Sequence, residues 1–247
     1  MGGLRFTGDW RTTAFVVLMV PLLASLGFWQ LSRAEEKQAI TREFEGKQSR
    51  PPALLGELDL LDARALAYQP VQMSGRFMDE YFLLDNRMVQ GRYGNDVIGV
   101  FEDTASGVLV LVNRGWIVAD AARRSLPEAP AVEGEVRLTG QVYVAPGKPY
   151  LLQDEALSEG WPKRIQAVQL GKIAAALGVG EAALFPYPVR IASGAPGALY
   201  VDWPVVNVSP AKHYGYAVQW FAMAFVLAVL YLLRSTNILA LLRGESN

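Results

Sequence analysis

A chain of 247 residues that is 51% hydrophobic and only 19% charged, with mean hydropathy +0.17, carries less charge than the roughly 25% usual in soluble proteins. Its formal net charge of −1 and its lack of a basic tract interleaved with aromatics argue against a nucleic-acid partner. With no cysteine at all, disulfides, CxxC redox chemistry and thiolate metal sites are excluded.

Residues 1–11 form a short head with Arg5, Asp9 and Arg11, too short and too poor in Arg and Ser to be an organelle transit peptide. From Thr12 to Leu31 there is no charged residue, and that length of apolar chain spans a hydrocarbon core about 30 Å thick. Pro21 sits mid-span as a kink that lipid-embedded helices tolerate, and Phe28 and Trp29 mark the far interface. The competing reading is a cleaved signal peptide ending near Ser25-Leu26-Gly27. The run is longer than the 7–15 residue core of such peptides, and Trp29 suits an anchor better.

Helical composition continues through Ser32 to Ile40, which puts Gln30, Arg33 and Lys37 on one face. They read as snorkelling anchors balanced by Glu35 and Glu36, or as a cationic rim for an anionic ligand. Pro51-Pro52 ends any helix. The acidic, leucine-rich segment from Leu54 to Leu66 gives no clear pattern.

From Tyr68 onward the pattern is β. Tyr68 to Phe77 and Tyr81 to Arg87 read as a strand pair turning at Met78-Asp79-Glu80, and Asp96 to Phe101 and Val108 to Trp116 as a hairpin around Ala105-Ser106-Gly107. Gly134 to Val144 alternates apolar and polar residues as a half-buried strand does. Gln169 to Leu177 reads as a short helix stopped by Gly178, Pro186 to Ile191 as an edge strand, and Tyr200 to Asn207 as an extended lead. Successive strands with glycine-bearing connections imply a mainly antiparallel, barrel-like α+β domain. Within it, Leu84-Asp85-Asn86-Arg87 is echoed by Leu111-Val112-Asn113-Arg114-Gly115-Trp116. Arginine at a strand end is commonly a salt-bridged edge residue, but guanidinium also grips carboxylates in bidentate fashion.

A second uncharged run extends from Tyr214 to Leu233. Ser209 is a good N-cap and Pro210 fits the first helical position. The only histidine of the chain, His213, therefore sits at the polar–apolar boundary, beside Lys212 and a belt of Tyr214, Tyr216 and Trp220. Helical spacing puts His213, Ala217, Trp220, Ala224 and Tyr231 on one face, and the alanines let a helix or a flat ligand come close. His213 is either an interfacial histidine bonded to a neighbour or a metal or haem ligand.

Two spans put both termini on one side. Arg5 and Arg11 before the first, and Arg234 and Arg243 after the second, set that side as cytoplasmic. The expected plan is a two-helix transmembrane hairpin carrying an extracytoplasmic β domain: 1–11 cytoplasmic, 12–31 first span, 32–212 domain, 213–233 second span, 234–247 cytoplasmic. No GxSxG, P-loop, dinucleotide or HExxH motif occurs, so a non-enzymatic role is expected.

The ordered set Leu26-Gly27-Phe28-Trp29-Gln30-Leu31-Ser32-Arg33 with Lys37, Tyr68-Gln69-Pro70-Val71 with Gly75 and Phe77, Asn86-Arg87 with Gly91 and Gly94, Val110 to Trp116, and Pro210 to Phe221 resembles the Surfeit locus protein 1 family. The resemblance implies an assembly factor for haem–copper cytochrome c oxidase in the bacterial or mitochondrial inner membrane; a multi-pass bacterial inner-membrane protein with its domain in the periplasm is expected here. It implies haem a binding through the histidine at position 213 and delivery to oxidase subunit I, with haem a synthase as a further partner and the lipid bilayer as surroundings. Trp220, Tyr216 and Ala217 would border the macrocycle, and Lys212, Arg87, Arg114 or Arg33 would pair the propionates. The alternative is a haem-free scaffold that meets oxidase subunits through Asn86-Arg87 and Asn113-Arg114-Gly115-Trp116, with Gln30 and Arg33, since Trp and Arg are enriched at binding hot spots. A membrane-anchored hydrolase is a third reading, without a visible nucleophile–base pair. Nothing in the resemblance extends to Pro146 through Ala195.

Overall fold

The computed structural model describes residues 5–145, 147, 157–206 and 208–238. The chain divides into two compact units, one made of residues 1–43 and 204–247 and the other of residues 44–203.

The first unit contains two helices long and apolar enough to cross a membrane. Helix α1 runs Trp10–Gln48. It starts where Asp9 Oδ2 accepts the Thr12 amide at 3.2 Å, satisfying one of the four amides that a helix start leaves open. Pro21 lies inside it, and the helix ends just before Pro51-Pro52. The helical composition after Leu31 is thus continuous helix. Helix α4 spans Pro210–Ser235, with Pro210 at its first position; Ser209 has the extended backbone of an N-cap, but its hydroxyl makes no capping bond.

Within this unit the two helices touch at several levels. His213 meets Gln30, and Phe221 packs edge-on against Phe28 with ring centroids 5.1 Å apart. Near the other end, Tyr231 Oη lies 2.7 Å from Thr13 Oγ1. A Cβ on Gly27 would lie 2.6 Å from the Phe221 ring, so the glycine makes room for that aromatic. The contact face of α4 is therefore His213, Ala217, Phe221, Ala224 and Tyr231, and Ala217 and Ala224 are buried on it. Phe221 takes the place expected for Trp220. Arg243 lies outside the described residues.

The second unit is a β barrel. Its elements are β1 (Ala53–Leu54), α2 (Ala63–Leu66), β2 (Pro70–Val89), β3 (Arg92–Asp103), β4 (Leu109–Val118), β5 (Val136–Val142), β6 (Lys163–Ile165), α3 (Leu170–Leu177) and β7 (Val189–Ile191). Strands pair in the order β2-β3-β4-β7-β5, and β5 returns to β2, closing five strands. The long ladders β2–β3, β3–β4 and β2–β5 and the three-pair ladder β5–β7 are antiparallel. The short ladders β1–β2, β2–β6 and β4–β7 are parallel, so the sheet is mixed.

Two expectations fail in the sheet. Met78-Asp79-Glu80 is no turn: β2 runs straight through it as one strand of 20 residues. Phe77 pairs Phe101 and Tyr81 pairs Gly99, so three residues of β2 face one of β3. That bulge bends the strand, letting its first half pair β5 and its second half pair β6. Polar residues between apolar runs suit a bulge as well as a turn. Pro186 to Ile191 is no edge either, because β7 lies between β4 and β5. Its prolines precede the ladder and remove no bond from it.

Side chains alternate across the barrel wall. Val71, Met73, Phe101, Val110, Val112, Leu138, Val142, Val189 and Ile191 fill the interior. Phe82, Leu84, Ile98, Val100 and Leu111 form an outer apolar face, which Ile165, Ile173, Ala174 and Leu184 cover. Helix α3 ends as expected at Gly178, in the left-handed conformation with φ 71°. The unassigned leucine-rich segment holds β1 and α2. Lys47 Nζ donates to the carbonyls of Arg64, Ala65 and Ala67 at 2.8, 3.2 and 2.8 Å, placing a cation on the open C-terminal end of α2.

Candidate functional site

The imidazole of His213 is the chemically distinctive group of the helical unit. Gln30 Oε1 lies 2.7 Å from its Nδ1. With that oxygen as acceptor, the ring proton sits on Nδ1 and the lone pair on Nε2. Nε2 is buried and has no hydrogen-bond partner. An unmade bond of this kind costs about 1–3 kcal/mol, which a fold does not carry without reason. Metal-binding histidines show the same pattern: one nitrogen held by an oxygen acceptor, the other free to ligate.

The surroundings follow from helix spacing. Tyr216 is exposed, Trp220 half-buried and Lys212 exposed, while Ala217 is covered on the face toward α1. Arg33, one turn beyond Gln30, pairs with Glu36 at 2.6 Å and lies over the Trp29 ring. Lys37 stands 3.8 Å from the same Glu36. The expected cationic rim is thus largely balanced by its own helix. Among the described residues no cluster of His, Cys, Asp or Glu is placed to hold a bare metal ion.

The two Asn-Arg echoes belong to the barrel, and the structure brings them together. Both β2 and β4 flank β3, and each echo hangs on polar residues of β3. Asp85 accepts from Tyr93 Oη, from Asn95 Nδ2 at 3.3 Å and from the Asn86 amide at 2.8 Å, and its other oxygen faces Arg123 at 3.2 Å. Burial and the Asp85 bond push the Tyr93 hydroxyl above its ordinary range. Arg87 Nε lies 3.3 Å from Asp96 Oδ2, which also accepts from Asn113 Nδ2 at 3.2 Å. Trp116 Nε1 donates to the Arg87 carbonyl at 3.2 Å, closing the network.

Asn86 takes the positive φ of 60° that the second bulge of β2 needs, and accepts from Arg123. Arg114 points elsewhere. Its guanidinium is buried, donates to the carbonyls of Gly197 at 2.8 Å and Pro130 at 2.7 Å, and lies over Phe77. It braces loops to the barrel, and burial works against its charge.

Sequence reasoning passed over Arg190. Its neighbours Val189 and Ile191 face the barrel interior, so Arg190 faces outward, stacked 3.6 Å from the Tyr143 ring and 5.0 Å from Trp203. Only the alternation of β7 could have pointed to it, and that strand is three residues long.

A two-helix membrane hairpin with a mixed-sheet barrel between its helices in sequence, and one histidine at the head of the second helix, defines the class. A sequence profile of the SURF1 family matches residues 17–225; the chain belongs to that family. It is 28% identical to Surfeit locus protein 1 of Gallus gallus, over 60% of this chain and 53% of that protein. The SURF1-like protein of Monosiga brevicollis is 31% identical over 52% of this chain and 53% of its own length. That of Rickettsia felis is 31% identical over 43% and 46%. The chain spans about half the length of the curated relatives it matches.

Proposed function

We propose that the protein is an assembly factor for haem–copper cytochrome c oxidase, anchored in a bacterial inner membrane with its barrel facing the periplasm, and that it carries haem a toward oxidase subunit I with His213 as the iron ligand. The observation that carries this reading is the buried, partnerless Nε2 of His213, opposite an Nδ1 held by Gln30. Haem a is cargo: it brings the iron, an apolar macrocycle and two propionates, and the chain has only to hold and release it.

His213 supplies one nitrogen, and Gln30 fixes which one. Because Nε2 is enclosed, ligation requires a neighbouring group to move aside, which couples loading to a local opening of the helix pair. Tyr216 and Trp220 offer aromatic surface beside it, and Lys212 a cation for a propionate. A single protein ligand suits a carrier better than two, since transfer must break only one bond to iron. Arg114, whose guanidinium is already engaged with carbonyls, is left out of the carrier site. Arginines at the chain-terminal ends of both spans, Arg5, Arg11 and Arg234 among them, support an orientation with those ends in the cytoplasm.

The test is a titration of the purified protein in detergent with haem a, followed by absorption. Wild type should give a saturable shift of the Soret band that His213→Ala lacks, with affinity lower by about tenfold or more. An identical spectrum and affinity in His213→Ala removes His213 from the site; no saturable shift in wild type leaves the haem-free scaffold as the reading.

A further inference from the structure

The outer face of the barrel holds a cavity of about 490 Å³, within the range usual for small-molecule sites. Leu84, Ile98, Val168 and Leu170 give it apolar walls, and Arg87, Asn113 and Arg190 are among its polar lining. The two arginines differ in what they already hold. Arg87 is engaged by Asp96, which Asn113 also serves. Among the described residues the Arg190 guanidinium makes no ion pair, and its Nε is buried with no hydrogen-bond partner. Stacking on Tyr143 and over Trp203 fixes the plane of the group without satisfying its N–H edge.

A buried donor left open is costly, more so on a charged group. Burial also works against the charge of Arg190; an anion in the cavity would relieve that penalty, and would reach the enclosed Nε once the guanidinium turns toward it. We propose that this cavity binds a small amphipathic monocarboxylate, with its carboxylate on Arg190 and its apolar body against Leu84, Ile98 and Val168. Local charge decides the class of anion. Arg87 and Asp96 cancel, so Arg190 leaves one positive charge, which one carboxylate neutralises. A doubly charged phosphate would bring its second charge toward Asp96. The lining residues all belong to the barrel unit, and the site stands or falls independently of His213.

The probe is 2-naphthoate, compared with the neutral 2-naphthamide, titrated into the full-length protein with empty micelles as the blank. Wild type should bind the acid about tenfold more tightly than the amide, the worth of one charge-assisted pair, and Arg190→Gln should abolish that preference. Ala145→Trp, an exposed loop position lining the cavity, should weaken both probes while leaving Arg190 in place. Three results would each overturn the proposal: equal binding of acid and amide by wild type, an unchanged preference in Arg190→Gln, or undiminished binding by Ala145→Trp. If Arg190→Gln fails to fold, the wild-type ratio and Ala145→Trp still decide.

Discussion

His213 and Gln30 show how much one hydrogen bond decides. With Gln30 Oε1 as the acceptor, the 2.7 Å contact puts the proton on Nδ1, and the tautomer decides whether Nε2 is a donor or a ligand. Replacing Gln30 by Leu removes the acceptor and frees the proton to sit on either nitrogen. The account predicts that Gln30→Leu keeps a haem a spectrum but binds about tenfold more weakly, the usual cost of losing the group that orients a ligating histidine. Unchanged affinity in the same absorption titration would show that Gln30 does not position the ring.

Tyr93 gives a residue-scale test of the barrel. Its hydroxyl titrates above its ordinary value because burial and the Asp85 bond both favour the neutral form. The folded state therefore keeps this proton at pH values where the unfolded chain, titrating near 10, has lost it. The contribution is complete below pH ~10 and is lost as pH rises toward the folded-state value. Tyr93→Phe should be less stable than wild type at neutral pH, by about 1 kcal/mol for the lost bond, and should lack that component of the alkaline decline. Thermal melts of both proteins between neutral and alkaline pH measure the difference; parallel declines contradict the assignment.

At the scale of elements, the glycines of the family resemblance acquire a reason. A Cβ on Gly75 would lie 1.9 Å from the Glu102 carbonyl oxygen, so any side chain there pushes β2 from β3. Gly115 has φ +106°, and a Cβ would meet the Tyr200 carbonyl oxygen at 2.5 Å. Gly115→Ala should cost about 1–3 kcal/mol and lower the melting temperature by several degrees. Gly180→Ala, with open space around it, should stay within about 0.5 kcal/mol. Similar losses at both positions would mean that close packing is not what these glycines provide.

The strands, α3 and its stop at Gly178 were legible because period-2 alternation and a left-handed cap are local properties. The bulge at Met78-Asp79-Glu80 and the central place of β7 were not. Both depend on which partners a strand finds, and polar interruptions or flanking prolines do not encode that. His213 stood out as a candidate by its position, whereas the acceptor opposite its Nδ1 needed Gln30, 183 positions away. Asn86, Arg87 and Asn113 stood out in the sequence as contact points. In the fold Arg87 and Asn113 are turned on Asp96 of β3, and Asn86 on Arg123, so each of the three already has a partner within the barrel unit.

For the whole molecule, the two units answer to different solvents. The helices leave large apolar side chains such as Phe15, Leu18, Phe225 and Leu230 exposed, as lipid contact requires, whereas the barrel buries its own core. The carrier reading joins them in one task, with the imidazole at the head of α4 and the barrel as the folded body between the spans in sequence. The most direct measurement of that reading is the haem a content of the protein purified from its own membrane, for wild type and for His213→Ala expressed at equal level. The account predicts haem a in the wild-type preparation and its loss in the variant, with the protein still folded and membrane-bound; equal haem a in both preparations, or none in either, would contradict it.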